Sequence, residues 1–117
     1  MTQPNFLFIT ADQHRGDCLG VEGRAVKTPH LDRMAERGTR FASAICPAPV
    51  CQPARASILT GQLCRTHGVH DNGIDLDESV GAKGFAGTLA AAGYDTGFFG
   101  KAHFSSYDPR EPTGRPE

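Results

Sequence analysis

The sequence predicts an α/β fold with a mainly parallel sheet, on three observations. An apolar run without polar alternation, Asn5-Phe6-Leu7-Phe8-Ile9-Thr10, suits a central strand covered on both faces. Two helical patterns follow, over 28–38 and 85–92, each closed by a glycine. Directly after the second comes another strand-like run, Tyr94-Asp95-Thr96-Gly97-Phe98-Phe99. Strands and helices alternating in this way argue for α/β architecture.

The elements follow in chain order. After the first strand, Ala11-Asp12-Gln13-His14-Arg15-Gly16-Asp17 forms a polar loop at a strand's carboxyl end, where open α/β sheets gather functional groups. In the first helix Thr28 is the expected N-cap, Pro29 takes the first helical position and Gly38 closes the end in a left-handed conformation. Leu31, Met34 and Ala35 share one face at helical spacing and are expected to pack on the sheet. Thr39 to Ile45 alternates polar and apolar, as a half-buried strand would. The prolines of Cys46-Pro47-Ala48-Pro49-Val50 exclude regular structure there. A helix is expected from about Pro53 through Leu59, with Gly61 beyond its end.

Two or three strands and three helices make a thin sheet, whose apolar faces want more partners than 117 residues supply. The chain therefore reads as the opening of a larger domain: 1–104 as an incomplete domain, and 105–117 as a linker-like or disordered tail rich in proline and charge. Twelve basic against thirteen acidic residues, a net charge of -1, give no electrostatic case for nucleic acid or a membrane surface. No apolar run approaches the roughly 18 residues that span a bilayer. The opening Met1-Thr2-Gln3-Pro4-Asn5 has no basic n-region or cleavage site, so a cytoplasmic location is expected. The four cysteines, Cys18, Cys46, Cys51 and Cys64, are then expected as thiols.

The most specific feature is Pro49-Val50-Cys51-Gln52-Pro53-Ala54-Arg55-Ala56-Ser57-Ile58-Leu59-Thr60-Gly61. It places a sulfur nucleophile at a helix start, where backbone N–H groups and the helix dipole favour negative charge. Arg55 adds a guanidinium one turn away, suited to an anionic oxygen cluster. A chance Cys-x-Pro-x-Arg would occur in about one chain of this size in a few hundred. Two further clusters stand at loops after strand-like runs: Asp12-Gln13, and Gly100-Lys101-Ala102-His103. Lys101 and His103, two residues apart, point the same way in an extended segment.

Together these residues resemble the type I sulfatases, in family order over residues 5–103. The resemblance implies the N-terminal part of an alkaline phosphatase-like sandwich. It also implies that Cys51 is oxidised to Cα-formylglycine by a formylglycine-generating enzyme, its hydrated aldehyde attacking the sulfur of a small sulfate ester. Arg55 would hold that hydrate. Asp12, Gln13 and the modified Cys51 would ligate a divalent metal, with calcium first and magnesium or manganese as alternatives. Lys101 would contact the ester and His103 the hydrate, and Asn72 in His70-Asp71-Asn72-Gly73 resembles a substrate-site asparagine. The metal and Arg55 would activate one hydroxyl for attack, and the second would expel sulfate. Two positions depart from the pattern. Gln52 stands where a small residue is usual, which leaves the core motif intact. Gln13 stands where a second acidic residue is usual, as in branches near the phosphonate monoester hydrolases.

Other readings compete. Cys18, Cys46 and Cys64 read as small buried hydrophobes. Asp12, Gln13 and Asn72 can be plain turn residues, Arg55 a helix-surface residue, and Lys101 and His103 solvated loop residues. Phosphonate monoester or phosphodiester hydrolysis on the same scaffold is the nearest chemical alternative, beside an inactive fragment. The remote one is a structural zinc module of Cys46, Cys51, Cys64, His67 and His70, although its cysteine spacing is not the customary one.

Overall fold

The computed structural model describes residues 3–105, and the tail assigned to 105–117 falls outside them from residue 106 on. The described residues form five α-helices and one 3-10 turn: α1 (Pro29–Arg37), α2 (Cys51–Thr60), α3 (Cys64–His67), α4 (Glu78–Gly81), α5 (Phe85–Ala91) and the turn Gly20–Glu22. The chain divides into two compact units, Met1–Ala44 and Ile45–Glu117.

In the first unit, α1 forms where its sequence signals place it, with Pro29 at its first position. Two details of its ends differ from expectation. Thr28 does not cap the helix with its side chain. Its Oγ1 instead accepts the Gly20 N–H at 2.8 Å and donates to Asp32 Oδ1 at 2.8 Å, while Asp32 Oδ1 accepts the Val21 N–H at 3.0 Å. The hydroxyl is thus consumed in holding the 3-10 turn against the helix start. Gly38 is extended (φ -122°, ψ -158°) rather than left-handed, and its N–H still closes the helix on Met34 O at 2.9 Å.

No strand forms among the described residues. The three segments read as strands are irregular: 5–10, 39–45, where Ala44 N–H turns back to Phe41 O, and 94–99. The cause is the one that made them legible. An unalternating apolar run is a strand only when neighbours complete its ladder and cover both faces. Here Leu7 is 86% exposed, Ile45 88% and Phe99 96%. Leu31 and Met34 of α1, expected to pack on a sheet, are exposed for the same reason.

The second unit has the core. Ala56, Val69 and Leu76 are buried, with Leu59, Val80 and Phe104 packed against them. The ring of Phe98 meets that of Phe104 edge-on, with centroids 6.4 Å apart. Leu76 N–H donates to Phe104 O at 2.9 Å, which stitches the end of the described chain to the loop before α4. α2 is the hub, contacting α3, α4 and α5.

The α2 start lies two residues before the expected Pro53. Ala54 N–H closes the first turn on Val50 O at 3.1 Å, so Pro53 sits at the third helical position, where its missing N–H costs nothing. Gly61 ends the helix as expected, at φ 68° in the left-handed region, with its N–H on Ser57 O at 2.9 Å. α5 ends one residue before Ala92 and is followed by the left-handed Gly93.

Candidate active site on helix α2

Helix α2 buries one stripe, Gln52, Pro53, Ala56 and Ser57, against the core. Cys51 and Arg55 lie next to that stripe, four residues apart and therefore neighbours on the helix surface, each partly exposed. The helix start has fewer free donors than its sequence suggested. Pro53 has none, the Ala54 N–H is bonded to Val50 O, and the Gln52 N–H is bonded to Asn72 Oδ1 at 3.0 Å. Among the described residues, the Cys51 N–H is the remaining donor of the first turn.

Two loops are bound to this helix. Arg55 Nη1 donates to the carbonyl of Lys101, which anchors Gly100-Lys101-Ala102-His103 to the face that carries Cys51. Gln52 binds the rest. Its Oε1 accepts the Gly73 N–H at 2.7 Å, and its Nε2 donates to Ile74 O at 2.7 Å and to Phe104 O at 3.3 Å. Five of the residues nominated from sequence therefore belong to one connected set: Cys51, Arg55, Asn72, Lys101 and His103.

His103 has φ 57°, a left-handed backbone that costs a non-glycine residue about 1 kcal/mol. Its Nδ1 is buried with no hydrogen-bond partner among the described residues. A strained backbone presenting an unsatisfied imidazole nitrogen is the kind of cost that functional sites carry.

Below α2, Ser57 and His67 form a buried pair with Ser57 Oγ 2.9 Å from His67 Nε2. His67 Nδ1 accepts the Val69 N–H at 3.1 Å, which fixes the tautomer: Nε2 carries the proton and donates to Ser57. Burial pushes the His67 imidazole below its ordinary value, and nearby His70 adds to this. The pair is structural, since a histidine whose Nδ1 already accepts and whose Nε2 donates has no lone pair for a general base. The same accounting takes His67 out of the zinc module, and no three of the remaining candidates come together to hold a metal among the described residues. Cys46 Sγ, for its part, is turned to Ala48 O at 2.9 Å. All four cysteines are free thiols.

Asp12 and Gln13 lie in the other unit, both exposed, in a turn where Gln13 has φ 56°. Just beyond, the guanidinium of Arg24, with that of Arg15, holds the Asp17 carboxyl below the usual carboxylate range. Gln13 and His103 are the two non-glycine residues with positive φ among the described residues, and both were nominated from sequence. No group of three His, Cys, Asp or Glu side chains able to hold a metal occurs among the described residues. One carboxylate and one amide oxygen fall short of the six to eight oxygens of a calcium site or the octahedron of magnesium. These residues do not by themselves fit a resident metal.

Sequence reasoning missed Gln52 as an organiser of the site. The signal was present: a long amide where the motif usually has a small residue. Ser57 and Phe104 gave no comparable signal, and His67 was read only as a ligand of the remote zinc module.

Comparison with known proteins identifies the family. The Sulfatase family model matches residues 4–114. The ulvan-active sulfatase of Formosa agariphila is 40% identical over 116 residues, covering 94% of this chain and 22% of that protein. The arylsulfatase of Clostridium perfringens is 40% identical over 104 residues, 86% of this chain and 21% of its own length. A crystal structure of the candidate sulfatase yidJ from Bacteroides fragilis superposes with a TM-score of 0.82 at 38% identity, over 91% of this chain and 24% of that one. The chain spans about a fifth of the length of the curated relatives it matches.

Proposed function

Because the chain belongs to the sulfatase family, we propose that it carries the nucleophile half of a sulfuric ester hydrolase site, with Cys51 converted to Cα-formylglycine. The observation that carries the reading is the union of Cys51, Arg55, Asn72, Lys101 and His103 through Arg55 and Gln52. Formylglycine would supply a hydrated aldehyde, one hydroxyl displacing the ester's alcohol from sulfur and the other, on losing its proton, releasing sulfate as the aldehyde re-forms.

The chain's own residues do the rest. Arg55, one turn from position 51, offsets anionic charge there while its Nη1 keeps the Lys101 loop in place. The Lys101 ammonium meets the sulfuryl oxygens as charge grows on them. In this reading His103 Nδ1, which is buried and without a partner among the described residues, exchanges a hydrogen bond or proton with an oxygen at position 51. Asn72 uses Oδ1 on the helix and keeps its NH2 for a substrate oxygen.

In this reading the sheet of an alkaline phosphatase-like sandwich, and further ligands for a divalent metal at Asp12 and Gln13, come from beyond these residues. The isolated 117 residues are then a poor catalyst. A cytoplasmic setting belongs to the same proposal.

Mass spectrometry of the tryptic peptide 41–55, after co-expression with a formylglycine-generating enzyme, tests the reading directly. The aldehyde at position 51 is the expected result, and an unmodified thiol under conditions that convert a known sulfatase peptide would sink it. The neutral Gln13 keeps phosphonate monoester or phosphodiester hydrolysis on the same scaffold as the alternative reading, while Lys101 with His103 favours the sulfate ester. Comparing aryl sulfate with aryl phosphonate turnover in the complete enzyme decides between them.

A further inference from the structure

Gln52 has no exposed surface, and its carboxamide makes three hydrogen bonds, two of them to residues that directly follow a candidate site residue. Gly73, whose N–H it accepts, follows Asn72. Ile74, whose carbonyl it meets at 2.7 Å, closes the same loop. Phe104, whose carbonyl it meets at 3.3 Å, follows His103. Phe104 O also accepts the Leu76 N–H at 2.9 Å, so both its lone pairs are used and the link runs on into the core. From its own backbone, Gln52 gives its N–H to Asn72 Oδ1. It is also the residue that follows Cys51.

We propose that Gln52 is a positioning residue: its carboxamide holds the Asn72 and His103 loops in register with position 51. This goes beyond filling space. An asparagine is one methylene too short to reach both loops, a glutamate keeps the acceptor for Gly73 but no donor when ionised, and a methionine keeps the volume and loses all three bonds. A buried amide linking three segments couples their positions, because moving one strands a polar group in the others. The inference takes its catalytic meaning from the proposed function, but the register itself is independent of any aldehyde.

The test uses the full chain, with Gln52→Met and Gln52→Glu. Three local signals are read: amide exchange at Gly73, the ring chemical shifts of His103, and the alkylation rate of Cys51 followed by mass spectrometry. The Gly61 and Val69 amides serve as the control for the fold. Gln52→Met is expected to lower Gly73 protection at least tenfold, move the His103 ring signals and change Cys51 alkylation at least threefold. Gly61 and Val69 should stay within twofold of wild type. Gln52→Glu is expected to separate the two loops, keeping Gly73 within threefold while His103 moves as in the methionine variant.

Wild-type values at Gly73 and His103 in Gln52→Met would overturn the proposal. So would a uniform fall across all amides, which would mark Gln52 as bulk core. If Gln52→Met does not fold, the split in Gln52→Glu decides alone. Failure of Cys51 to become formylglycine overturns the proposed function and leaves these signals untouched, so the two ideas fail separately.

Discussion

Asn72 caps a helix to which it does not belong: its Oδ1 takes the Gln52 N–H at 3.0 Å, twenty residues away in sequence. A side-chain oxygen on a first-turn N–H is the usual work of a residue just before the helix, but Val50 has no such group. Asn72→Ala should therefore destabilise the chain by about 1 kcal/mol, the cost of losing a cap. Asn72→Asp, which keeps the acceptor and adds charge at a helix N-terminus, should stay within about 0.5 kcal/mol of wild type. Urea unfolding measures both, and equal losses would show that the amide NH2 matters more than the cap.

Arg55 grips the Lys101 carbonyl with a guanidinium nitrogen. Lysine has a different reach and a single point of donation, so Arg55→Lys should lose this bond almost as fully as Arg55→Ala. Each is expected to cost about 1–2 kcal/mol in urea. Trypsin should cut after Lys101 several times faster in both than in wild type. Unchanged cleavage would place the loop's anchor elsewhere.

His67 supplies a pH dependence whose sign is fixed by its setting. Its folded value lies below the ordinary 6.5 because burial disfavours the imidazolium and His70 repels it. The unfolded chain therefore binds the proton more readily, and stability falls as pH drops below about 6.5 toward the folded value. The urea midpoint should be lower at pH 5 than at pH 7.5. In His67→Gln that part of the slope should disappear, while the midpoint at pH 7.5 falls because Ser57 and Val69 N–H lose their partner. A slope that survives the substitution would assign it to other groups.

Gly87 lies inside α5, where alanine is ordinarily worth about 1 kcal/mol more than glycine. A Cβ at this position would overlap the Ala82 carbonyl oxygen, a backbone atom that cannot swing aside. Overpacking costs of 1–3 kcal/mol exceed the propensity gain. Gly87→Ala is expected to lower the urea midpoint, by about 1 kcal/mol in net stability. A higher midpoint would mean that the Ala82 carbonyl yields.

The helices were legible and the strands were not, for one physical reason. Pro29, Gly61 and Gly93 are local signals whose partners lie within a turn of them, so α1, α2 and α5 appear near where they were read. The run at 5–10 signals burial, and burial needs faces that the described residues do not furnish. Within the site, Cys51 and Arg55 were readable because their chemistry depends on a four-residue spacing. His103 was readable as a residue type, but its left-handed backbone and the Gln52 bond to the neighbouring Phe104, which spans fifty-two positions, were not. Gln52 was visible as an oddity of the motif and misread, because a sequence shows that a long amide is present without showing the two loops it will reach.

The burial of Gln52 and Pro53 also sets an order of events. An enzyme that must grasp Cys51-Gln52-Pro53-Ala54-Arg55 as an extended strip finds, once α2 has docked, two of its five residues sealed and the others wound into a helix. Under the proposed function, maturation at position 51 becomes a race between the modifying enzyme and the docking of α2. Substitutions that slow docking should raise the aldehyde yield, and those that hasten it should leave more thiol behind. On that proposal the nascent chain, rather than the finished protein, is where this residue's fate is decided.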